Sequence, residues 1–190
     1  INLLSGDPAK VSEQLISSDI VKKVSITGST RVGKIVLKQA AEKVQRVTME
    51  LSGHAPFIVY EDANIEKAVD TAMAAKYRNN GQVCISPSRF FIHEKVKSKF
   101  QDLFVKKTLK LKMGDAFSNP DLGPITTEKR LNDVEKLSDL TVKEGAELLC
   151  GGKRASNFNK GYYFEPTIFD KVEDSHTIMT EEPFSPLSPI

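Results

Sequence analysis

The fold class is decided by VKKVSITGSTRVGKIVLKQAAEKVQRVTMEL, residues 21–51. Within it, Val21–Ile26 predicts a strand, Arg31–Lys43 an amphipathic helix and Val47–Leu51 a second strand. A strand, a helix and a strand in succession imply a right-handed crossover between parallel neighbours. We therefore predict an α/β fold with a mostly parallel sheet flanked by helices.

The segments on either side continue this alternation. Ile1–Ser5 predicts a short buried strand, and Asp7 can cap a helix whose first residue is Pro8. After residue 51, similar patterns predict strands at 56–60, 89–93, 146–150 and 162–169, of which 146–150 is expected to be buried. They also predict helices at 65–76, with Asp62 as its cap, and at 128–143.

The composition excludes several kinds of partner and site. The 190 residues carry 27 basic and 25 acidic side chains, interspersed along the chain, so neither a nucleic acid nor a membrane is predicted as a partner. Two cysteines, Cys84 and Cys150, do not make a disulfide framework, and a reducing, cytoplasmic setting is expected. The three histidines, His54, His93 and His176, lack the spacing of metal ligands, so no metal site is predicted.

Cys84 lies in YRNNGQVCIS, residues 77–86, just past a predicted helix in a loop rich in Gly and Asn. A thiolate is a strong nucleophile, and a free loop suits that role better than a packed strand. Gly81 permits a sharp turn that lets Gln82, Val83 and Cys84 present their backbone N–H groups to the group under attack. The alternative is a loop cysteine that only packs against its neighbours. Cys150, by contrast, is interpreted as a core thiol of low reactivity.

Glu50 is a candidate general base for this nucleophile. It lies at the end of the run Val47–Leu51 and is followed by Ser52-Gly53, so its carboxylate can face a cleft in which it is partly buried. The alternative is a solvated residue at the end of a strand.

Gly28 and Ser29 lie between the first predicted strand of residues 21–51 and its helix. A helix that begins there offers unsatisfied N–H groups and a positive dipole end to a phosphate. The segment is not the GxGxxG fingerprint of dinucleotide-binding proteins, and no acidic ribose partner is identifiable after it. A capped helix with no ligand is therefore the alternative.

Four motifs together resemble signatures of the aldehyde dehydrogenase superfamily, in the order and spacing of that family. They are GSTRVG (28–33), MELSGHAP (49–56), GQVC (81–84) and EEPFSP (181–186). The resemblance runs nearly end to end, is greatest to the succinate-semialdehyde dehydrogenase branch, and covers the middle and later part of a longer family polypeptide. We therefore expect this chain to be a piece of such a protein.

The resemblance implies an architecture and a reaction. Residues 1–52 would be the C-terminal part of a dinucleotide-binding domain, and residues 53–190 a truncated catalytic domain. The reaction would be oxidation of an aldehyde to a carboxylic acid with NAD or NADP. Cys84 would form a thiohemiacetal and then a thioester, which water activated by Glu50 hydrolyses. The whole protein is expected to be a homo-oligomer.

The resemblance also implies the residues that meet the cofactor. Gly28 and Ser29 would pack against the pyrophosphate, and Leu51 would also contact the cofactor. Glu182 would hold the nicotinamide ribose, and Phe184 would border the ring. Without the resemblance, those last two residues would be interpreted as a surface acid and a core aromatic.

Arg78 precedes Cys84 by six residues. In the semialdehyde dehydrogenases that this chain resembles, an arginine at this place pairs with the distal carboxylate of the substrate, and a planar guanidinium suits that group. The resemblance therefore implies a semialdehyde such as succinate semialdehyde. The alternative is an arginine at a helix end that faces solvent.

Three residues depart from the family pattern. Ser52 stands where the family usually has a glycine, and His54 and Pro183 are less usual at their sites.

Two further residues of the family's site are expected outside this sequence. The family's oxyanion Asn and ribose-binding Lys belong to segments upstream of Ile1. The 190 residues alone are therefore expected to have negligible turnover.

Two other functions remain open at this point. One is a cofactor-free cysteine hydrolase that uses Cys84 and Glu50, and the other is a non-catalytic binding module with the same fold. A reactive Cys84 whose labelling responds to NAD(P) favours the dehydrogenase, reactivity blind to the cofactor favours the hydrolase, and an inert Cys84 favours the module.

Overall fold

Parallel strand pairs joined through helices form the framework of the fold. The computed structural model describes all of residues 1–190, which divide into two compact units, Ile1–Ser52 and Gly53–Ile190. The strands are β1 (Lys23–Thr27), β2 (Arg46–Glu50), β3 (Ala55–Val59), β4 (Pro87–Ile92), β5 (Glu147–Cys150), β6 (Thr167–Asp170) and β7 (Leu187–Pro189). The helices are α1 (Pro8–Ser17), α2 (Thr30–Ala41), α3 (Ile65–Tyr77), α4 (Glu94–Thr108), α5 (Glu128–Lys143) and α6 (Thr177–Thr180). The predicted α/β class is confirmed.

In the first unit, β1 and β2 are parallel, in a register that pairs Lys23 with Arg46 and Thr27 with Glu50. The crossover helix α2 buries Val36 and Ala40. These side chains form a small core with Ile16 of α1, which begins at Pro8 under an Asp7 cap as predicted. The strand–helix–strand pattern thus gave the correct pairing.

The predicted strand at Ile1–Ser5 is wrong. These residues form no helix or strand, and the side chains of Ile1, Leu3 and Leu4 are exposed. A strand is stable only when its backbone pairs with a neighbour, and the sheet of this unit consists of β1 and β2 alone. Apolar side chains without a pairing partner do not suffice for a strand.

In the second unit, β3 and β4 form a parallel pair that packs against α3 and α4. Phe90, Phe100 and Phe104 are fully buried in this core, and their rings lie 5.5–5.6 Å apart in successive pairs. The cap of α3 is Asn64, whose side chain accepts the Lys67 N–H at 3.0 Å, and not the expected Asp62. Asn64 immediately precedes the first helical residue, which is the place that a capping side chain must occupy.

A second sheet in this unit has the order β5-β6-β7, antiparallel and then parallel. Strand β6 is shorter than the predicted 162–169, because Tyr162 and Tyr163 bond to loop residues and Pro166 has no N–H to donate. Strand β5 is half-exposed rather than buried, and the pKa of the Cys150 thiol is raised to about 11 by burial. That pKa fits the unreactive thiol expected there.

None of the helices has the length and apolarity that crossing a bilayer requires. No group of three or more His, Cys, Asp or Glu side chains is arranged to hold a metal ion.

Candidate functional site

Cys84 is exposed in a loop that follows α3 directly. Three successive residues turn the chain there in the left-handed region, with φ of 50° at Asn79, 57° at Asn80 and 69° at Gly81. Asn and Gly are the residues that tolerate this conformation best, so the NNG sequence encodes the turn. We call residues 78–86 the nucleophile loop.

Buried side chains fasten this loop to the segment 123–126. Asn80 donates through Nδ2 to the Gly123 carbonyl at 2.5 Å. Gln82 accepts through Oε1 from the Thr126 N–H at 3.0 Å and from its hydroxyl at 2.7 Å. Both anchors are buried, which keeps the loop rigid beneath an exposed thiol. The sequence alone did not identify these bonds, since their partners lie more than 40 residues further along.

Parts of three sequence motifs meet at the nucleophile loop. A Cβ at Gly81 would overlap the Ser185 carbonyl oxygen, so the loop backbone packs directly on the EEPFSP segment. A Cβ at Gly53, in the MELSGHAP motif, would lie 3.6 Å from the Cys84 carbonyl oxygen. The fold therefore brings residues 53, 81–84 and 185 together in the second unit.

The backbone N–H groups near the thiol are only partly free. The Gln82 N–H donates to the Asn79 carbonyl at 3.1 Å, so its predicted role as an oxyanion donor is wrong. A turn this tight uses that N–H to close itself. The Val83 and Cys84 N–H groups have no acceptor within the chain and remain able to bind an oxyanion.

A groove of about 800 Å³ lies along α3 and reaches the residues on either side of Cys84. Val83 and Ile85, the two neighbours of Cys84, line it together with Arg78. Arg78 is exposed at the end of α3 and takes part in no ion pair. The groove thus combines the apolar side chains that flank Cys84 in the chain with a guanidinium group.

The acidic residues that line the groove form ion pairs with lysines outside it. Glu66 bonds to Lys99 at 2.8 Å and Asp70 bonds to Lys107, both lysines being on α4. The remaining basic residue of the lining, Lys67, has no carboxylate partner. The unpaired charge in the groove is therefore positive, which favours an anionic group.

Residues 182–185, which we call the strap, contain Glu182 and Phe184. Phe184 has a φ of 40°, a left-handed conformation that a non-glycine residue rarely adopts. The Arg130 guanidinium of α5 donates to the Pro183 carbonyl at 2.5 Å and to the Phe184 carbonyl at 3.4 Å. It also lies over the Phe184 ring, 5.8 Å from the centroid. This arginine holds the strap in its strained form.

Lys76, in the last turn of α3, is 1% exposed. Burial lowers its pKa to about 7, and the charge of Glu182 opposes this shift. Glu182 itself is half-buried. Nothing in the sequence patterns separated this lysine from the solvated lysines around it.

His54 links β3 to α6. Its Nε2 lies 3.0 Å from the Ile178 carbonyl and its Nδ1 lies 2.6 Å from the Ser88 hydroxyl. A carbonyl only accepts, so Nε2 donates and Nδ1 accepts from the hydroxyl, which fixes the neutral ring. Burial lowers the pKa of His54 in agreement with this arrangement. His54, which is less usual at this site in the family, is therefore held by specific hydrogen bonds in this fold.

The first unit carries the other predicted residues at the carboxyl ends of β1 and β2. The Gly28 N–H donates to the Glu50 carbonyl at 3.0 Å, and Ser29 caps α2 by accepting the Val32 N–H. The Glu50 side chain is exposed, not partly buried as expected, because alternate residues of β2 point away from the small core of this unit. Leu51 packs directly against Gly33, where a Cβ atom would lie only 2.6 Å from the leucine side chain.

The predicted residues thus fall into two groups. Cys84, Arg78 and the strap lie in the second unit, where the loop and the strap are in contact. The other four predicted residues, Gly28, Ser29, Glu50 and Leu51, lie in the first unit. Gly28 and Ser29 stand there at the start of α2, which follows the carboxyl end of β1.

Comparison with known proteins identifies relatives along the whole chain. Residues 1–190 match the model of the aldehyde dehydrogenase family. The chain is 39% identical to a 3,6-anhydro-alpha-L-galactose dehydrogenase of Vibrio sp. (strain EJY3), over 100% of this chain and 40% of the relative. It is 38% identical to succinate-semialdehyde dehydrogenase [NADP(+)] 2 of Schizosaccharomyces pombe, over 99% of this chain and 38% of the relative.

A solved structure shares the fold. The crystal structure of succinate-semialdehyde dehydrogenase from Burkholderia pseudomallei superposes with a TM-score of 0.94 at 41% identity, covering 98% of this chain and 38% of that one. The chain therefore spans about two fifths of the length of the proteins it matches.

Proposed function

The chain belongs to the aldehyde dehydrogenase family, and we propose that it carries the nucleophile of an NAD(P)-dependent oxidation of an aldehyde to a carboxylic acid. The observation that supports this most is the setting of Cys84. Its thiol is exposed, its backbone N–H is free, and its two neighbours line a groove. A covalent mechanism needs an accessible nucleophile, an oxyanion donor and room for the substrate in one place.

The reaction begins at the thiol. The Cys84 thiolate adds to the carbonyl carbon of the aldehyde, and the carbonyl π electrons move to the oxygen, giving a thiohemiacetal anion. The Cys84 N–H, with the Val83 N–H beside it, donates to that oxygen. The rigid anchoring of the loop keeps these donors in place before the charge develops.

A bound nicotinamide dinucleotide supplies the acceptor for the hydride that leaves the former aldehyde carbon. The product on the protein is a thioester at Cys84. Glu50 then takes a proton from a water molecule, which attacks the thioester carbon, releases the carboxylic acid and restores the thiolate.

Covalent connectivity supports the assignment of Glu50. Gly53, whose backbone lies beside the Cys84 carbonyl, follows Glu50 by three residues. Three residues span at most about 11 Å, so the Glu50 backbone cannot be far from that glycine.

The residues present fit a dinucleotide. The start of α2, with Gly28 and Ser29, offers N–H groups and a positive dipole end to the pyrophosphate. The Glu182 carboxylate can accept from ribose hydroxyls, and Leu51 and Phe184 supply apolar surface. We propose NADP, with NAD as the alternative, because the Schizosaccharomyces relative is named for NADP(+).

The groove supports a semialdehyde substrate, such as succinate semialdehyde. Arg78 can pair with a distal carboxylate while Cys84 attacks the aldehyde carbon at the other end of the molecule. In a polypeptide of family length that carries these residues, Arg78→Ala should raise the KM for succinate semialdehyde by about tenfold or more, since it removes a charge-assisted pair. Steady-state kinetics with several aldehydes measures this effect.

An uncharged aldehyde of similar length is the internal control, and its KM should stay within about twofold of the wild-type value. Arg154→Ala, which removes an exposed arginine paired with Glu135, is the matched variant and should change neither KM. Equal effects of Arg78→Ala on both aldehydes would remove the carboxylate assignment.

The 190 residues alone should show negligible turnover. They span about two fifths of the length of their relatives, and the family's oxyanion Asn and ribose-binding Lys are not among the matched motifs. Loss of one oxyanion donor costs about 3 kcal/mol, and loss of cofactor contacts adds to that cost. Aldehyde-dependent formation of NAD(P)H by the isolated chain would contradict this expectation.

We further propose a cytoplasmic, homo-oligomeric enzyme that acts on a small molecule. The near balance of charges, +2 in 190 residues, gives no basis for a nucleic-acid or membrane partner.

A further inference from the structure

We propose that Lys76 and Arg130 are positioning residues that hold the strap, so that the Glu182 carboxylate and the Phe184 ring stand ready for the nicotinamide riboside. This inference rests on the proposed function, because it assigns a role to residues around the proposed cofactor contacts. Neither residue belongs to the four sequence motifs, and each acts through the strap rather than on the cofactor.

Arg130 supports the strained part of the strap. A φ of 40° at Phe184 is unfavourable for a residue with a Cβ, and it persists only where surrounding contacts enforce it. The guanidinium provides such contacts, with bonds to the carbonyls of Pro183 and Phe184 and a place over the phenyl ring. Charge-assisted bonds and a cation–π contact both depend on the arginine fork.

Lys76 is the second cation whose charge interacts with that of the Glu182 carboxylate. A fully buried ammonium group is costly unless an anion compensates it, and the anion that acts on Lys76 is Glu182. Glu182 also acts on Arg130, so one carboxylate interacts electrostatically with a cation from α3 and a cation from α5. The charge of Lys76 also acts on His54, which is held neutral by its own hydrogen bonds.

The backbone of Lys76 contacts the nucleophile loop, which in turn contacts the strap. Its backbone carbonyl accepts the Ser86 hydroxyl at 3.4 Å, and Ser185 of the strap packs against Gly81 of the loop. The end of α3 therefore supports the nucleophile loop, and the loop packs on the strap. An apolar side chain of similar length could fill the space of Lys76, so packing alone does not require a lysine.

A double-mutant cycle tests the role of Lys76. In the family-length polypeptide, Lys76→Met and Glu182→Gln should each raise the Kd for NADP+ by about tenfold or more, measured by calorimetry. The double variant should bind no more weakly than the weaker-binding single variant, because both changes remove one interaction. Thermal unfolding of Lys76→Met is measured alongside, so that weaker binding is not mistaken for loss of folded protein. The exposed Lys136→Met is the matched control and should bind as the wild type does.

Three results separate this inference from the proposed function. Wild-type protein that binds no dinucleotide would overturn both. Wild-type protein that binds NADP+, with a Lys76→Met variant that binds it equally well, would overturn the positioning role alone. Lys76→Met could also raise the Kd for NADP+ by the same factor in the wild-type and in the Glu182→Gln protein. That result would overturn the positioning role too, because the lysine would then act independently of Glu182.

Arg130 provides a second, independent variant. Arg130→Met should raise the Kd for NADP+ by about tenfold or more, and Arg130→Lys by less, because lysine keeps the charge but lacks the planar fork. Arg154→Met, which removes an exposed ion pair, should leave the Kd unchanged. Wild-type affinity in Arg130→Met would contradict the role assigned to this arginine.

Discussion

Cys84→Ser is expected to lower kcat for aldehyde oxidation by about 10⁴-fold or more in a polypeptide of family length that carries this chain. A serine hydroxyl is far less acidic than a thiol, so almost none of it is ionised at neutral pH. The change keeps the size of the side chain and the backbone N–H, so the loss reports the nucleophile itself. Formation of NAD(P)H at saturating aldehyde measures it.

Cys150→Ser is the matched control, since the chain has only these two cysteines. Cys150 is half-buried and its pKa is raised to about 11, which makes its thiol a poor nucleophile at neutral pH. The control variant should keep wild-type turnover. Substantial activity in Cys84→Ser would show that the reaction does not pass through this sulfur.

Glu50→Gln is expected to lower kcat by about 10²–10⁴-fold while leaving the first turnover rapid. The amide cannot take a proton from water, so thioester hydrolysis becomes slow, whereas attack by Cys84 and hydride loss do not require a base at that point. Stopped-flow absorbance should therefore show a burst of NAD(P)H close to one equivalent per site, followed by a slow steady state.

Glu42→Gln, an exposed glutamate that follows α2 in the same unit, is the control and should behave as the wild type. A Glu50→Gln variant whose first turnover is as slow as its steady state would place Glu50 before the hydride step. Unchanged kcat would remove it from the mechanism.

The regular elements were largely predictable because local patterns encode them. The strand–helix–strand pattern of residues 21–51 gave the parallel pair β1–β2 and the helix between them. The Asp7-Pro8 start of α1 and the span of α5 also follow from sequence signals. The failure at Ile1–Ser5 has a different origin, because a strand depends on a partner that local sequence does not reveal.

The contacts that support the site could not be predicted, since they join residues that are distant in sequence. Arg130 bonds to carbonyls 53 and 54 residues away, and the sequence gives no sign that this arginine leaves the solvated face of its helix. His54 reaches Ile178 across 124 residues. Lys76 sits among other charged residues of an Ala-rich helix, and only the fold shows that it is buried.

The pair of asparagines before Gly81 is a local sequence signal for the tight turn of the nucleophile loop. The two asparagines before Gly81 both adopt left-handed φ, and this pair predicts a tighter turn than the glycine alone. Such a turn closes on the Gln82 N–H, which explains why that group is not available to an oxyanion.

The proposed mechanism requires that Cys84 becomes acylated and that Glu50 directs water to the resulting thioester. Mass analysis of Glu50→Gln, quenched in acid after mixing with NADP+ and succinate semialdehyde, detects this intermediate. The peptide containing Cys84 should gain the mass of one succinyl group, and the Cys150 peptide should gain none. An unmodified Cys84 peptide, recovered after a full equivalent of NADPH has formed, would contradict it.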